Sequence, residues 1–183
     1  TTIKFGAFAG CSSLKTISIP NTVSIIEDNV FYNCNNLHYN VYDNCNYIGN
    51  EQNPYLLLVS IINLDIESCN INSMTKIIGY KAFKNCTSLL SISIPSSVST
   101  ISNSAFYGCK LETLNLSNGL LNIGNESFNG CSNLLRISIP DTVVDIGERA
   151  FKDCQNLTQI SIGSGLTKLS NSIFVNCPKV KNL

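Results

Sequence analysis

Apolar side chains along this chain recur in one unit of about 23 residues, a length typical of repeat proteins. The unit reads F-x-x-C-x-x-L-x-x-I-x-I-P-x-x-V-x-x-I-x-x-x-A and then starts again, as it does from Phe8, Phe83 and Phe128. Its x-I-x-I segment alternates polar and apolar positions, which is typical of a half-buried β-strand. One unit is too small to bury its own apolar face, so the pattern predicts copies stacked into a solenoid.

Seven cysteines mark the same slot of successive units: Cys11, Cys34, Cys86, Cys109, Cys131, Cys154 and Cys177. Their spacing is nearly constant except between Cys34 and Cys86, where it is more than doubled. This wider gap contains one irregular, longer unit at about residues 37–65, and it places Cys69 at an inward strand position. The predicted strands give eight coils in a single domain over residues 1–183, starting at Leu14, Leu37, Ile66, Leu89, Leu111, Leu134, Leu157 and Val180.

The segment between the proline and the next cysteine is predicted to turn the chain back toward the following coil. Proline lacks an N–H and therefore ends the strand. The stretch around Ala-Phe has room for one or two helical turns. The residue before each ladder cysteine is always Gly, Asn or Asp, the types that most readily adopt a left-handed backbone. We therefore expect a positive φ at seven positions: Gly10, Asn33, Asn85, Gly108, Gly130, Asp153 and Asn176.

The irregular coil carries its own signal. Two apolar segments, 47–49 and 55–62, flank the loop 50–54, which predicts a β-hairpin with a five-residue loop. The second strand is apolar on both faces, so it must be covered twice or join a partner. Cover from within the chain is the favoured interpretation. The alternative is a contact surface around Tyr47 and Tyr55.

This repeated unit closely resembles the BspA-like, Treponema-type, leucine-rich repeat over essentially the whole chain, and the segment 50–56 resembles an insert of that family. The resemblance implies an α/β leucine-rich-repeat solenoid, a right-handed superhelix of eight coils with about 23 residues in each. It places a parallel β-sheet on one face and short helical turns on the other. It also implies a surface-exposed or secreted protein that adheres to host matrix proteins or other cells, and it supplies no catalytic residues.

No chemistry of an enzyme is indicated. Zinc sites need clustered ligands, whereas the ladder places one thiol per coil, where a small buried residue is wanted. Cys69 is predicted to be in the core, and Cys45 is either buried or an exposed, reactive thiol. The only histidine, His38, has no predicted nucleophile beside it. We therefore expect no catalytic residue, no metal and no cofactor.

The composition of the chain argues against nucleic acid and membrane lipid as partners. The formal net charge is zero and only 13% of residues are charged, so there is no basic footprint for nucleic acid. The longest nearly apolar run, 56–62, is far too short to cross a bilayer. The chain begins within a unit and ends inside a predicted strand, without capping repeats, so we expect a fragment of a longer array. The expected partner is a protein, with no nucleic acid and no membrane insertion.

The outward strand positions are the main candidate binding surface. One column is predicted to hold Thr16, Tyr39, Ser68, Ser91, Thr113, Arg136, Gln159 and Asn182. It is either a solvated face of hydroxyl groups or a recognition face anchored by Tyr39 and Arg136, because Tyr and Arg are enriched in binding hot spots. The sequence thus predicts a non-enzymatic protein-interaction module, most concretely an adhesin. A carbohydrate-binding surface and a structural spacer are the alternatives.

Overall fold

The computed structural model describes residues 1–170 and 172–181 and shows a β-solenoid of about seven turns. The described residues form thirteen strands: β1 (Thr2–Ile3), β2 (Ile25–Ile26), β3 (Asn40–Tyr42), β4 (Cys45–Ile48), β5 (Leu57–Ile61), β6 (Ile77–Ile78), β7 (Ser91–Ile94), β8 (Thr100–Ile101), β9 (Thr113–Leu116), β10 (Asn122–Ile123), β11 (Arg136–Ile139), β12 (Asp145–Ile146) and β13 (Gln159–Ile162). The predicted position of Asn182 lies outside the described residues.

Neighbouring coils are joined by hydrogen bonds in three separate segments. The L-x-x-I-x-I segments pair as parallel strands, β7 with β9 and β11 with β13. The V-x-x-I segments form a longer parallel ladder, in the order β6, β8, β10 and β12. In the third segment the N–H of Phe83 donates to the carbonyl of Ala105 at 2.7 Å, and Phe106 and Phe128 repeat this contact in later coils. Stacking therefore satisfies backbone groups around most of each coil.

For the turn before each ladder cysteine, the predicted left-handed residue is confirmed and the predicted helical turn is wrong. All seven predicted left-handed residues have φ between 58° and 77°. A second left-handed residue, not predicted, lies four positions earlier: Gly6, Asn29, Lys81, Ser104, Glu126 and Arg149. Two such residues so close together interrupt a helix, and no helix is present in residues 1–170 and 172–181. The short helical turns, and with them the α/β description, are replaced by tight turns in an all-β solenoid.

The apolar core is divided into two parts, so the predicted column of eight coils is not continuous. Residues 66–181, the C-terminal stack, contain a file of stacked phenylalanine rings with centroids 4.8–5.5 Å apart. Phe83, Phe106, Phe128 and Phe151 are buried, and Phe174 at the end of the file is partly buried. Residues 1–39, the N-terminal stack, have a separate core in which Phe8 stacks on Phe31 at 5.8 Å.

A three-stranded antiparallel meander, residues 40–61, separates the two cores. Its strands β3, β4 and β5 are consecutive, and β5 also pairs in parallel with β6. Tyr47 and Leu58 are buried in the C-terminal core, whereas Ile48 and Leu57 are buried in the N-terminal core. The strand that is apolar on both faces is therefore covered twice within the chain.

The N-terminal stack rests against the side of the C-terminal stack. Ile77 of β6 belongs to the N-terminal core. The Thr100 hydroxyl donates to the carbonyl of Ser24 at 3.2 Å, and the Asn103 side-chain amide donates to the carboxylate of Asp28 at 3.1 Å. These contacts explain why the first coils do not simply extend the array.

Candidate recognition surface

Alternate side chains of β7, β9, β11 and β13 are exposed, and we call them the recognition strip: Ser91, Ser93, Thr113, Asn115, Arg136, Ser138, Gln159 and Ser161. The strip consists of hydroxyl and amide side chains with one charged member, Arg136. Between the exposed positions, Ile92 and Ile137 are 3% exposed and anchor the strands in the core. The strip is thus polar at the surface and held rigidly from below.

Arg136 lies beside Gln159, its register partner on β13. Both side chains are exposed. Within the described part of the chain, the ion pairs involve other basic groups: Lys4, Arg149 and Lys152. The guanidinium of Arg136 therefore retains a fork of N–H donors that suits a carboxylate.

The strip is split at its middle. β9 and β11 are not paired, although each is paired with its other neighbour. The split opens a cleft of about 420 Å³ lined by Glu112, Thr113, Asn115, Arg136 and Ser138, among others. The coil here is the short one: a single residue separates Cys109 from Leu111, where other coils have two. β9 and β11 therefore leave unpaired polar edges at the cleft.

The structure corrects the predicted tyrosine sites. Tyr47 is completely buried and accepts a hydrogen bond from the N–H of Asn72 at 3.3 Å, and burial raises its pKa. The prediction of a contact surface at Tyr47 is therefore wrong. Tyr55 is partly buried, edge to face with the Tyr47 ring at 5.5 Å. The sequence predicts Tyr39 on the outward column, but it packs against the N-terminal core, where burial raises its pKa.

Tyr39 instead lines a second cavity, of about 310 Å³, where the N-terminal stack, the meander and the C-terminal stack meet. Its wall includes four aromatic residues, Phe31, Tyr32, Tyr39 and Tyr80. We call it the aromatic cavity. Sequence analysis missed Tyr32 and Tyr80, because both occupy variable slots in coils distant along the chain. The only available signal was the tyrosine itself.

Charged groups at the rim of the aromatic cavity are already engaged. The Glu27 carboxylate accepts hydrogen bonds from Lys4 Nζ at 2.9 Å and from the N–H of Phe5 at 2.8 Å. The bond from Lys4, followed by that from Phe5, lowers the pKa of Glu27. Lys81 Nζ lies 4.5 Å from the centre of the Tyr80 ring. The lining thus combines an acidic and a basic group with aromatic side chains.

Burial makes most of the cysteines part of the packed core. Cys11, in the first coil, is exposed, and the other eight thiols are buried. Burial raises the pKa of Cys86 to about 11 and that of Cys109 to about 12, so neither forms a reactive thiolate near neutral pH. Cys45 is also buried, so of the two alternatives the exposed, reactive thiol is wrong.

A family profile described as BspA type leucine rich repeat region matches residues 1–53 and 61–181, with six copies. No curated protein matches the chain. Within the described residues, no helix has the length and apolar character that a membrane crossing requires.

Solved structures share the fold. A leucine rich cell surface protein from Faecalibacterium prausnitzii is 30% identical, with a TM-score of 0.74 over 92% of this chain and 47% of its own. A leucine rich repeat protein of T. pallidum is 25% identical, with a TM-score of 0.54 over 68% of this chain and 71% of its own. The pneumococcal vaccine antigen PcpA, 20% identical with a TM-score of 0.68 over 90% of this chain and 43% of its own, shows likeness of fold alone. The chain spans about half of the F. prausnitzii protein.

Proposed function

The chain belongs to the BspA type leucine rich repeat family, and we propose that it is a non-enzymatic protein-interaction module of a cell-surface or secreted protein. Leucine-rich repeats generally serve as protein-interaction modules of cell-surface proteins. The similar F. prausnitzii structure is described as a cell surface protein, which supports the same location here. Adhesion to proteins of a host or of neighbouring cells is the function we assign to the module.

The observation that carries this proposal is the exposed Arg136, beside Gln159 and at the mouth of the cleft that splits the recognition strip. Glu112 lines the same cleft, so both signs of charge face an incoming partner within a surface of hydroxyl and amide groups. Such a surface suits a polypeptide that offers carboxylate side chains and backbone amides. The guanidinium would bind a carboxylate of the partner, and the neighbouring polar groups would fix its orientation.

The rigidity of the strip favours binding. The strands β11 and β13 are paired over four residues, and their inward side chains are packed in the core. Side chains presented from such a frame lose little backbone entropy when a partner binds. Several weak contacts along the strip can therefore add up to a useful affinity.

Binding of the 183-residue chain to a panel of purified extracellular-matrix proteins, by surface plasmon resonance, tests the proposal. We expect at least one member to bind, and Arg136→Ala to weaken that binding at least about tenfold. Arg149→Ala is the matched control, because it removes the same side chain from the turn segment, where it pairs with Glu126. Equal affinity of both variants would contradict the position of the site. Absence of binding to every member would favour a structural spacer.

A second candidate, a carbohydrate-binding module, is favoured by the aromatic cavity. Sugar rings stack on exposed aromatic faces, and Tyr32, 62% exposed, borders a cavity that also holds Tyr39 and Tyr80. A glycan array is the direct test. A glycan that binds here should lose affinity with Tyr32→Ala but keep it with Tyr107→Ala, a tyrosine outside the cavity. Retention of affinity by Tyr32→Ala would exclude this cavity.

A further inference from the structure

Cys45 and Cys69, the two cysteines outside the ladder, face each other. Their Sγ atoms are 3.2 Å apart, in direct contact. Both residues are buried: Cys45 has no exposed surface and Cys69 is 7% exposed. By contrast, the ladder thiol of Cys109 donates to a backbone carbonyl oxygen, that of Phe83. The two cysteines outside the ladder therefore form a matched pair, although 24 positions separate them in the sequence.

Contacts on both sides hold this pair in register. The carboxylate of Asp43 accepts a hydrogen bond from the N–H of Asn70 at 2.8 Å. The Tyr47 hydroxyl accepts one from the N–H of Asn72 at 3.3 Å. The residues 43, 45 and 47 thus contact the segment 69–72 at successive points. These contacts hold the two sulfur atoms at their separation of 3.2 Å in the folded chain.

We propose that Cys45 and Cys69 form a disulfide when the chain folds in the presence of a low-molecular-weight disulfide. One thiolate attacks a sulfur of that reagent and forms a mixed disulfide, releasing one small thiol. The other protein thiolate then attacks the protein sulfur of the mixed disulfide and releases the second small thiol. The two protein thiols are oxidised, the reagent is reduced to two thiols, and the two protons pass to them.

The surroundings of the pair decide when the bond can form. In the folded chain, contact with Cys45 lowers the pKa of Cys69, whereas contact with Cys69 and burial raise the pKa of Cys45. Both sulfurs are enclosed once the meander is packed, so the bond forms during folding and is then shielded from reductant. It would attach the meander covalently to the C-terminal stack.

Counting thiols is the primary test. The wild-type chain, refolded in a glutathione redox buffer, is denatured and titrated with Ellman's reagent. Of the nine cysteines, seven should react, the intact mass should be lower by two hydrogen atoms, and peptide mapping should link Cys45 to Cys69. Nine reactive thiols, or a link that involves a ladder cysteine, would overturn the proposal. This measurement needs no variant and does not depend on the proposed function.

Thermal unfolding gives a second readout. Oxidised wild type should melt roughly 5–10 °C above the same protein refolded under reducing conditions. Cys45→Ser with Cys69→Ser should melt at one temperature under both conditions. Cys131→Ser, which alters a ladder thiol, should keep the difference. If Cys131→Ser loses the difference in melting temperature while the double variant retains that difference, the assignment of the pair is wrong.

Discussion

The thiol of Cys109 donates to the carbonyl oxygen of Phe83, one coil earlier, with sulfur and oxygen 3.0 Å apart. The same oxygen accepts the N–H of Cys86 at 3.1 Å. Thiol-to-carbonyl contacts of this kind recur along the chain, from Cys34, Cys131, Cys154 and Cys177 to Phe8, Phe106, Phe128 and Phe151. Cysteine thus combines the small size that the column needs with a weak donor for a buried carbonyl.

Replacing Cys109 with alanine should lower the free energy of unfolding by about 1–2 kcal/mol, because it leaves a small cavity and removes one hydrogen bond. Cys11→Ala is the matched control, since Cys11 is exposed, and it should change stability by less than about 0.5 kcal/mol. Urea unfolding followed by circular dichroism measures both. Similar losses in the two variants would contradict a role for the buried thiol.

Stability should fall in alkaline solution because of the same thiols. Burial raises the pKa of Cys109 to about 12 from an ordinary value of 9.0, so the folded state holds the proton more tightly than the unfolded state. The stabilisation is complete below pH 9 and is lost as the pH rises toward 12. Unfolding free energies measured between pH 7 and pH 11 should show this decline. Cys109→Ala should decline less steeply, and parallel curves would disprove the linkage.

Gly119 tests the close approach of neighbouring coils. Its φ is 131°, and a Cβ there would overlap the carbonyl oxygen of Ser96. We expect Gly119→Ala to cost roughly 2–4 kcal/mol, from backbone strain and steric overlap together. Gly10 also has a positive φ, 77°, but a Cβ there would meet no atom within 4 Å, so Gly10→Ala should cost only about 1–2 kcal/mol. Chemical denaturation compares them, and equal costs would exclude the steric contribution.

One added negative charge at Asn103 should weaken the contact between the N-terminal and C-terminal stacks. Asn103 donates to Asp28 and also accepts the N–H of Asn125 at 2.8 Å. Asn103→Asp keeps the acceptor but opposes two carboxylates, so residues 1–39 should exchange amide hydrogens faster at pH 7, with less change in residues 89–170. Near pH 4, where carboxylates begin to protonate, the difference should shrink. Asn115→Asp, on the exposed strip, is the control, and equal protection of residues 1–39 in all three proteins would contradict the contact.

Local features of the repeat followed well from the sequence. The left-handed residues before each cysteine, the phenylalanine file within each stack and the strands β7, β9, β11 and β13 were all predictable, because each coil packs mainly against its neighbours. The helical turns were wrong for a physical reason. Lys81 and Arg149 have no marked preference for a left-handed backbone, and they adopt it where the turn segment hydrogen-bonds to the next coil.

The candidate sites were predicted less evenly. Arg136 and Gln159 lie on the exposed strip as expected, since alternation along a strand determines which side chains face solvent. Tyr47 was misassigned because an aromatic residue in an irregular coil carries no periodic signal. The split between β9 and β11 was not predicted, because the alternation of the two strands is regular and does not show whether they pair.

The sequence by itself determined the repeating coil, the left-handed residue before each ladder cysteine and the need to cover both faces of the second hairpin strand, because residue spacing records contacts between adjacent units. Only the tertiary structure decided which surfaces cover Leu57 and Leu58, how the N-terminal stack rests on Asn103, and that Cys45 meets Cys69. These contacts join segments with no common period. An apolar face in the sequence predicts that this face is buried, but it does not predict which other surface covers the face, because the hydrophobic effect is non-directional.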